Sequence, residues 1–209
     1  MRISKEHKFV FISTPKAATH SIYKMLKEHY SKKLLEGGFH STEIPSPYRR
    51  YFRWTICRNP FSRAVSLWWS GCKLAHLDQY KFRERCGSID DFTQFMVWLA
   101  GTSLEERGLE PLMNNQTDWL APVEPVHAIH LEHLKEELNQ LPFWKKEIEL
   151  PWLNTTSQKI ESQIKNKGQT IIRPPWWKMY REEEAIEAVL NWAGNDFERF
   201  GYSKEIPHG

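Results

Sequence analysis

The chain has 209 residues, 40% of them hydrophobic and 26% charged, with 29 lysines and arginines against 26 aspartates and glutamates. This composition describes one globular, soluble domain spanning 1–209, large enough for a sizeable core, and no run approaches the ~18 apolar residues that a membrane span needs. The formal net charge of +3 suits an anionic small molecule or glycan and is too small to argue for a nucleic-acid partner.

The opening residues Met1 to Glu6 carry no apolar leader region, so the expectation is a cytoplasmic protein. The apolar run Phe9-Val10-Phe11-Ile12 marks a strand over 8–13, and Ile22, Tyr23, Met25 and Leu26 mark a helix over 19–30. Between them lies Thr14-Pro15-Lys16-Ala17-Ala18-Thr19-His20-Ser21. A short strand-to-helix loop aims backbone N–H groups and the positive helix end at an anion. Lys16 adds a point charge there, and Thr19 and Ser21 add hydroxyls. The loop is not the glycine-rich phosphate loop G-x-x-x-x-G-K-[ST], because the first glycine of the chain is Gly37. Ser31 to Pro47 reads as a polar connection.

Phe52 to Cys57 reads as a buried strand that runs into Arg58-Asn59-Pro60-Phe61-Ser62-Arg63-Ala64-Val65-Ser66. Asn59 suits a helix N-cap and Pro60 the first helical position, with the helix continuing to about Leu74. Arg58 then sits at the carboxyl end of the strand, and Arg63 and Ser66 share a helix face. An arginine fork plus a hydroxyl can hold a second, separate phosphate. Arg63 either reaches that ligand or pairs with a carboxylate such as Asp90 or Glu84.

Ile89 to Leu99 reads as a helix with Asp90 and Asp91 at its start, Gly101 to Pro125 as loop-rich, 126–131 as a short strand followed by a helix through Leu141, and Glu182 to Phe200 as the last helix. Strands alternating with helices argue for a parallel α/β sheet covered on both faces. Ligands then belong at the carboxyl ends of the strands, where both phosphate motifs fall. The three cysteines, Cys57, Cys72 and Cys86, have no metal-ligand spacing, and Cys57 reads as a small buried hydrophobe. Among His127, His130 and His133, strand alternation puts His127 and His133 on one face only if the strand runs unbroken, and ordinary packing is favoured over a metal site.

Two phosphate sites on two strand-to-helix turns imply a ligand phosphorylated at both ends. The pair of motifs resembles the sulfotransferases that use 3′-phosphoadenosine-5′-phosphosulfate (PAPS), especially the compact carbohydrate sulfotransferases. That resemblance implies a sulfotransferase fold, a parallel sheet like that of the P-loop NTPases flanked by helices. It assigns Pro15, Lys16, Ala17, Ala18, Thr19, His20 and Ser21 to the 5′-phosphosulfate, and Arg58 and Ser66 to the 3′-phosphate. Ala128 to Leu134 is similar to the family's strand ending in Glu-x-Leu, Leu153 to Ser157 to its late Asn-x-[ST] turn, and Asp196 to Tyr202 to its terminal D-F-x-x-F-G-Y run. Many relatives are Golgi-luminal and carry an N-terminal anchor.

In sulfuryl transfer, charge builds on the oxygen bridging sulfur and phosphorus, and a fixed cation there stabilises the transition state. Lys16 is the candidate for that catalytic role. His40, between the two motifs, is the candidate general base for the acceptor hydroxyl, with Glu43 and His20 in reserve. Asn154 and Ser157 either lie near the cofactor or simply form a turn. Trp176-Trp177 is the aromatic pair most suited to an acceptor site. Ala18 stands where many members have glycine, which alanine tolerates if its φ is negative. The expected reaction needs no metal and takes a hydroxyl acceptor, with a carbohydrate first in line. The rivals are a magnesium-dependent, P-loop-like kinase and a non-catalytic nucleotide or anionic-glycan binding module.

Overall fold

The structure, a computed structural model, describes residues 1–30, 34–38, 40–73, 91–107, 111–145, 148 and 174–206. Strands β1 (Arg2–Ser4), β2 (Phe9–Ile12), β3 (Leu34–Glu36), β4 (Phe52–Cys57) and β5 (His127–His130) form one sheet in the order β3-β1-β2-β4-β5. The three strands β2, β4 and β5 pair in parallel, whereas β1 pairs antiparallel with both β2 and β3. The sheet is therefore mixed, which corrects the wholly parallel expectation. The two extra strands are short: β1 is too brief to show a period, and β3 lies inside the polar connection read as loop.

Alternation along the strands puts the apolar residues on both faces. Phe9, Phe11, Trp54 and Ile56 pack with Ile22, Met25 and Leu26 of helix α1 (Thr19–His29), while Val10, Ile12 and Cys57 pack against Leu120, Val123 and Phe200. Among the described residues, the sheet is thus covered on both sides, as alternating strands and helices require.

Helix α2 (Pro60–Trp68) follows β4 directly, with the Asn59 side chain accepting from the N–H groups of Phe61 and Ser62 at 3.0 and 3.2 Å. It runs on as a π-helical turn over Trp69–Lys73. Helix α3 (Phe92–Gly101) starts from Asp91, whose carboxylate accepts from Gln94 N–H. The stretch 101–125, read as loop-rich, holds the short helices α4 (Leu104–Arg107) and α5 (Gln116–Leu120).

Strand β5 stops at His130 and passes through a 3-10 turn (Leu131–His133) into α6 (Leu134–Leu138), so His133 leaves the strand alternation. The last helix, α7 (Glu183–Phe200), packs Ala185, Val189, Trp192 and Phe197 against α2 and α3 and bends at Ala193, where φ is −128°. No helix of the described residues is long and apolar enough to cross a membrane.

Candidate active site

The Lys16 loop leaves the carboxyl end of β2 as a tight turn closed by Ala17 N–H donating to the Thr14 carbonyl at 3.3 Å. Proline at the second turn position and a left-handed residue at the third are the pattern of a type II turn, and Lys16 adopts φ 67°. Ala18 is also left-handed, at φ 53°, and forms the N-cap of α1 with no side-chain hydrogen bond to the helix. This overturns the condition under which alanine was expected to keep the loop without strain. Thr19 is buried and donates its hydroxyl to the Thr14 carbonyl at 3.1 Å, Ser21 is buried, and His20 is exposed. Alternate residues in the left-handed region that open onto a helix N-terminus are the backbone geometry from which an anion cradle can be built.

A left-handed alanine carries about 1 kcal/mol of steric strain that glycine does not. We expect Ala18→Gly to raise the melting temperature by about 2–4 °C, part of the gain being offset by the freer unfolded chain. Calorimetry of the two proteins checks this.

The arginine corner lies beside this loop. The Arg58 guanidinium donates to Ser62 Oγ at 2.8 Å and to the Lys16 carbonyl at 3.2 Å, so the two strand-to-helix turns touch. Lys16 itself donates from Nζ to Ser70 Oγ at 2.7 Å, across to the π-helical turn that follows α2. Ser62, Ser66 and Ser70 follow one another at intervals of four, the spacing of one helix face. The two ends of this hydroxyl row hold Arg58 and Lys16. Ser66 lies between them and is partly exposed. Ser70 was not picked out from the sequence, because nothing there marks a π turn.

Arg63 turns inward, onto backbone carbonyls. It is fully buried, over the Trp192 ring, and donates to the carbonyls of Pro15 at 3.0 Å and Asn114 at 2.8 Å. Burial lowers its pKa to about 10, against which the negative charge of Asp196 acts. At neutral pH it stays a cation that ties the Lys16 loop to the helical layer beneath. Glu84, Asp90, Asn154 and Ser157 lie outside the described residues.

His40 has φ 54° and packs edge-on to Trp119, whose indole N–H donates to the Ser13 carbonyl at 3.2 Å. Burial lowers the His40 pKa to about 4; a hydrogen bond to the Ser13 backbone opposes this, while the charges of the N-terminal amine, His20 and Lys16 add to it. The ring therefore stands in the same electrostatic neighbourhood as the lysine loop and is neutral near pH 7. Glu43 is exposed in the same connection. Cys57 is buried with its thiol pushed up to about 12 by desolvation, which fits a packing residue. His130 is engaged by Glu137 at 2.9 Å and by the Phe200 carbonyl at 2.8 Å. Trp176 packs on the core beside Tyr180, whereas Trp177 exposes 38% of its surface.

Gln116 and Glu132, which the sequence did not mark as site residues, hold the backbone of the arginine corner. Gln116 bonds both the N–H and the carbonyl of Arg58, each at 2.9 Å, and Glu132 accepts from Asn59 N–H at 2.9 Å. A glutamine in an apparent loop gives no signal of such contacts, whereas Glu132 stands in the Glu-x-Leu run already noted, which does not say what its carboxylate holds.

Comparison with curated proteins returned no match, and comparison with solved structures returned none either. A family model described as "Sulfotransferase family" matches residues 1–203, which takes in both strand-to-helix corners, the final helix and nearly all of the chain. The match reaches from the lysine loop through Arg58 to the terminal Asp196–Tyr202 run, and on that ground the chain belongs to the sulfotransferase family.

Proposed function

We propose that this protein transfers a sulfuryl group from PAPS to a hydroxyl of a carbohydrate acceptor by in-line displacement. The observation that carries the reading is the contact between two anion-binding corners: Arg58 bonded to the Lys16 carbonyl, with a row of serine hydroxyls running from one to the other. A donor phosphorylated at both ends of a nucleoside matches that arrangement. The Lys16 loop and the N–H groups at the start of α1 would take the 5′-phosphosulfate, and Arg58 with Ser66 the 3′-phosphate.

In this scheme the acceptor oxygen attacks sulfur while the bond from sulfur to the bridging phosphate oxygen breaks. Adenosine 3′,5′-bisphosphate leaves, with Lys16 countering the charge that builds on the bridging oxygen. The acceptor proton passes to neutral His40. Its free-state pKa of about 4 makes it a weak base, and the negative charge of the bound donor would raise that value toward neutrality. A carbohydrate acceptor rests on the resemblance to carbohydrate sulfotransferases and on Trp177, an exposed indole of the kind that stacks on sugar rings. The low basicity of His40 favours one second reading, a module that binds the nucleotide without turnover.

The test is a binding titration with adenosine 3′,5′-bisphosphate, ADP and ATP, with and without EDTA. It is followed by donor consumption in the presence of glycan acceptors. Tight, EDTA-indifferent binding of the bisphosphate over ATP is expected, with turnover that His40→Ala abolishes while binding persists. Magnesium-dependent ATP binding with no preference for a 3′-phosphate would replace this reading with the kinase. Bisphosphate binding with no turnover across acceptors would leave the binding module.

A further inference from the structure

The terminal run Asp196-Phe197-Glu198-Arg199-Phe200-Gly201-Tyr202 has no part in the chemistry above, yet two of its side chains reach the arginine corner through one intermediary each. Asp196 is fully buried, and its carboxylate accepts from Gln116 N–H at 2.9 Å, from Gln116 Nε2 at 3.2 Å and from Thr117 N–H at 2.7 Å. A carboxylate at the first turn of α5 is held by unpaired N–H groups and by the helix dipole. It orients the Gln116 amide so that Oε1 accepts from Arg58 N–H and Nε2 donates to the Arg58 carbonyl. Strand β4 ends at Cys57. Without Gln116, the N–H and the carbonyl of Arg58 would each lose this hydrogen bond in a partly buried corner.

On the other side, Gly201 caps α7 in the left-handed conformation, and Tyr202 N–H returns to the Phe197 carbonyl at 3.0 Å. This fixes the tyrosine so that its hydroxyl donates to Glu132 Oε2 at 2.8 Å, while Glu132 Oε1 accepts from Asn59 N–H at 2.9 Å.

We propose that the Asp196–Tyr202 run sets the position of the Arg58–Asn59 corner, with Gln116 and Glu132 as positioning residues on either side of it. The inference rests on the reading of Arg58 as the ligand of the donor's 3′-phosphate. In this scheme the run acts on the corner that meets the 3′-phosphate, so loosening the clamp weakens recognition of the 3′-phosphate far more than binding of the 5′ end. A purely structural role would weaken both ends together.

The experiment measures binding of adenosine 3′,5′-bisphosphate and of adenosine 5′-monophosphate, which lacks the 3′-phosphate, by titration calorimetry, with melting curves alongside. Gln116→Met keeps the volume of the buried side chain and removes both bonds to Arg58. We expect it to weaken bisphosphate binding by about tenfold or more and monophosphate binding by less than about twofold. Glu132 is exposed, so its variants test the clamp without disturbing the core. Glu132→Ala should weaken the bisphosphate by about three- to tenfold. Glu132→Gln, which still offers an acceptor to Asn59 and a partner to Tyr202, should stay within about twofold of the parent. Equal losses for both nucleotides, no loss in either alanine or methionine variant, or Glu132→Gln falling as far as Glu132→Ala would overturn the proposal. If the unsubstituted protein binds both nucleotides equally, the assignment of Arg58 to the 3′-phosphate fails first, and the clamp inference falls with it.

Discussion

Replacing Lys16 with alanine is expected to lower the sulfuryl-transfer rate by about a hundred- to a thousandfold, the loss typical when one fixed donor to a developing anion is removed. Bisphosphate binding should change by less than about tenfold, because the loop's N–H groups and Arg58 remain. Lys16→Gly separates the charge from the backbone. Lys16 occupies the left-handed third position of its turn, a place where glycine is preferred and any Cβ is strained. Glycine there should abolish turnover as completely as alanine, yet leave the melting temperature equal or higher. A left-handed lysine at such a turn is the backbone outlier that motivates testing its side chain for function. Single-turnover donor consumption beside thermal melts checks both halves. A glycine variant that melts well below the parent, or an alanine variant that keeps full turnover, would remove Lys16 from the mechanism.

The same loop shows how far the sequence can be read. Phe9 to Ile12 is a strong strand because its apolar side chains fall on both faces, and Phe52 to Cys57 because Phe52, Trp54 and Ile56 alternate with Arg53 and Thr55; both lie where expected. Asn59-Pro60 announced its helix through capping chemistry that is local by nature. What could not be read depends on partners distant in the chain. Strand β3 exists because β1 offers it an edge: Leu35 pairs with Ile3 across the connection. The π turn that brings Ser70 to Lys16 has no local signature. Arg63 sits within the motif and on the same helix as Ser66, but it turns inward to the Pro15 carbonyl. Helical spacing fixes which residues share a face approximately and says nothing of which way a long side chain runs. Ala18 is the clearest instance: an alanine was legible as a departure from glycine, while its left-handed φ is set by the closure of the turn before it and the helix after it.

Arg58→Ala should weaken adenosine 3′,5′-bisphosphate by about ten- to a hundredfold, the range of one charge-assisted hydrogen-bonding group. Adenosine 5′-monophosphate should bind almost as before. Arg58→Lys should recover only part of the loss. The guanidinium uses Nε on Ser62 and a terminal nitrogen on the Lys16 carbonyl, a planar two-direction grip that an ammonium group cannot reproduce. Loss of the contact to the Lys16 carbonyl also frees the lysine loop from its neighbour, so Arg58→Ala should reduce turnover at saturating donor as well. Arg58→Lys should show the same decline to a smaller degree. A decline in affinity alone, with turnover at saturation intact, would mean that Arg58 binds the donor without organising Lys16. Equal losses for the bisphosphate and the monophosphate would mean that Arg58 holds the fold and not a 3′-phosphate. The joint loss of 3′-phosphate recognition and saturated rate is the outcome that the contact between the two corners requires. In that arrangement, recognition at one end of the donor helps to set the geometry at the other, where the sulfuryl group departs.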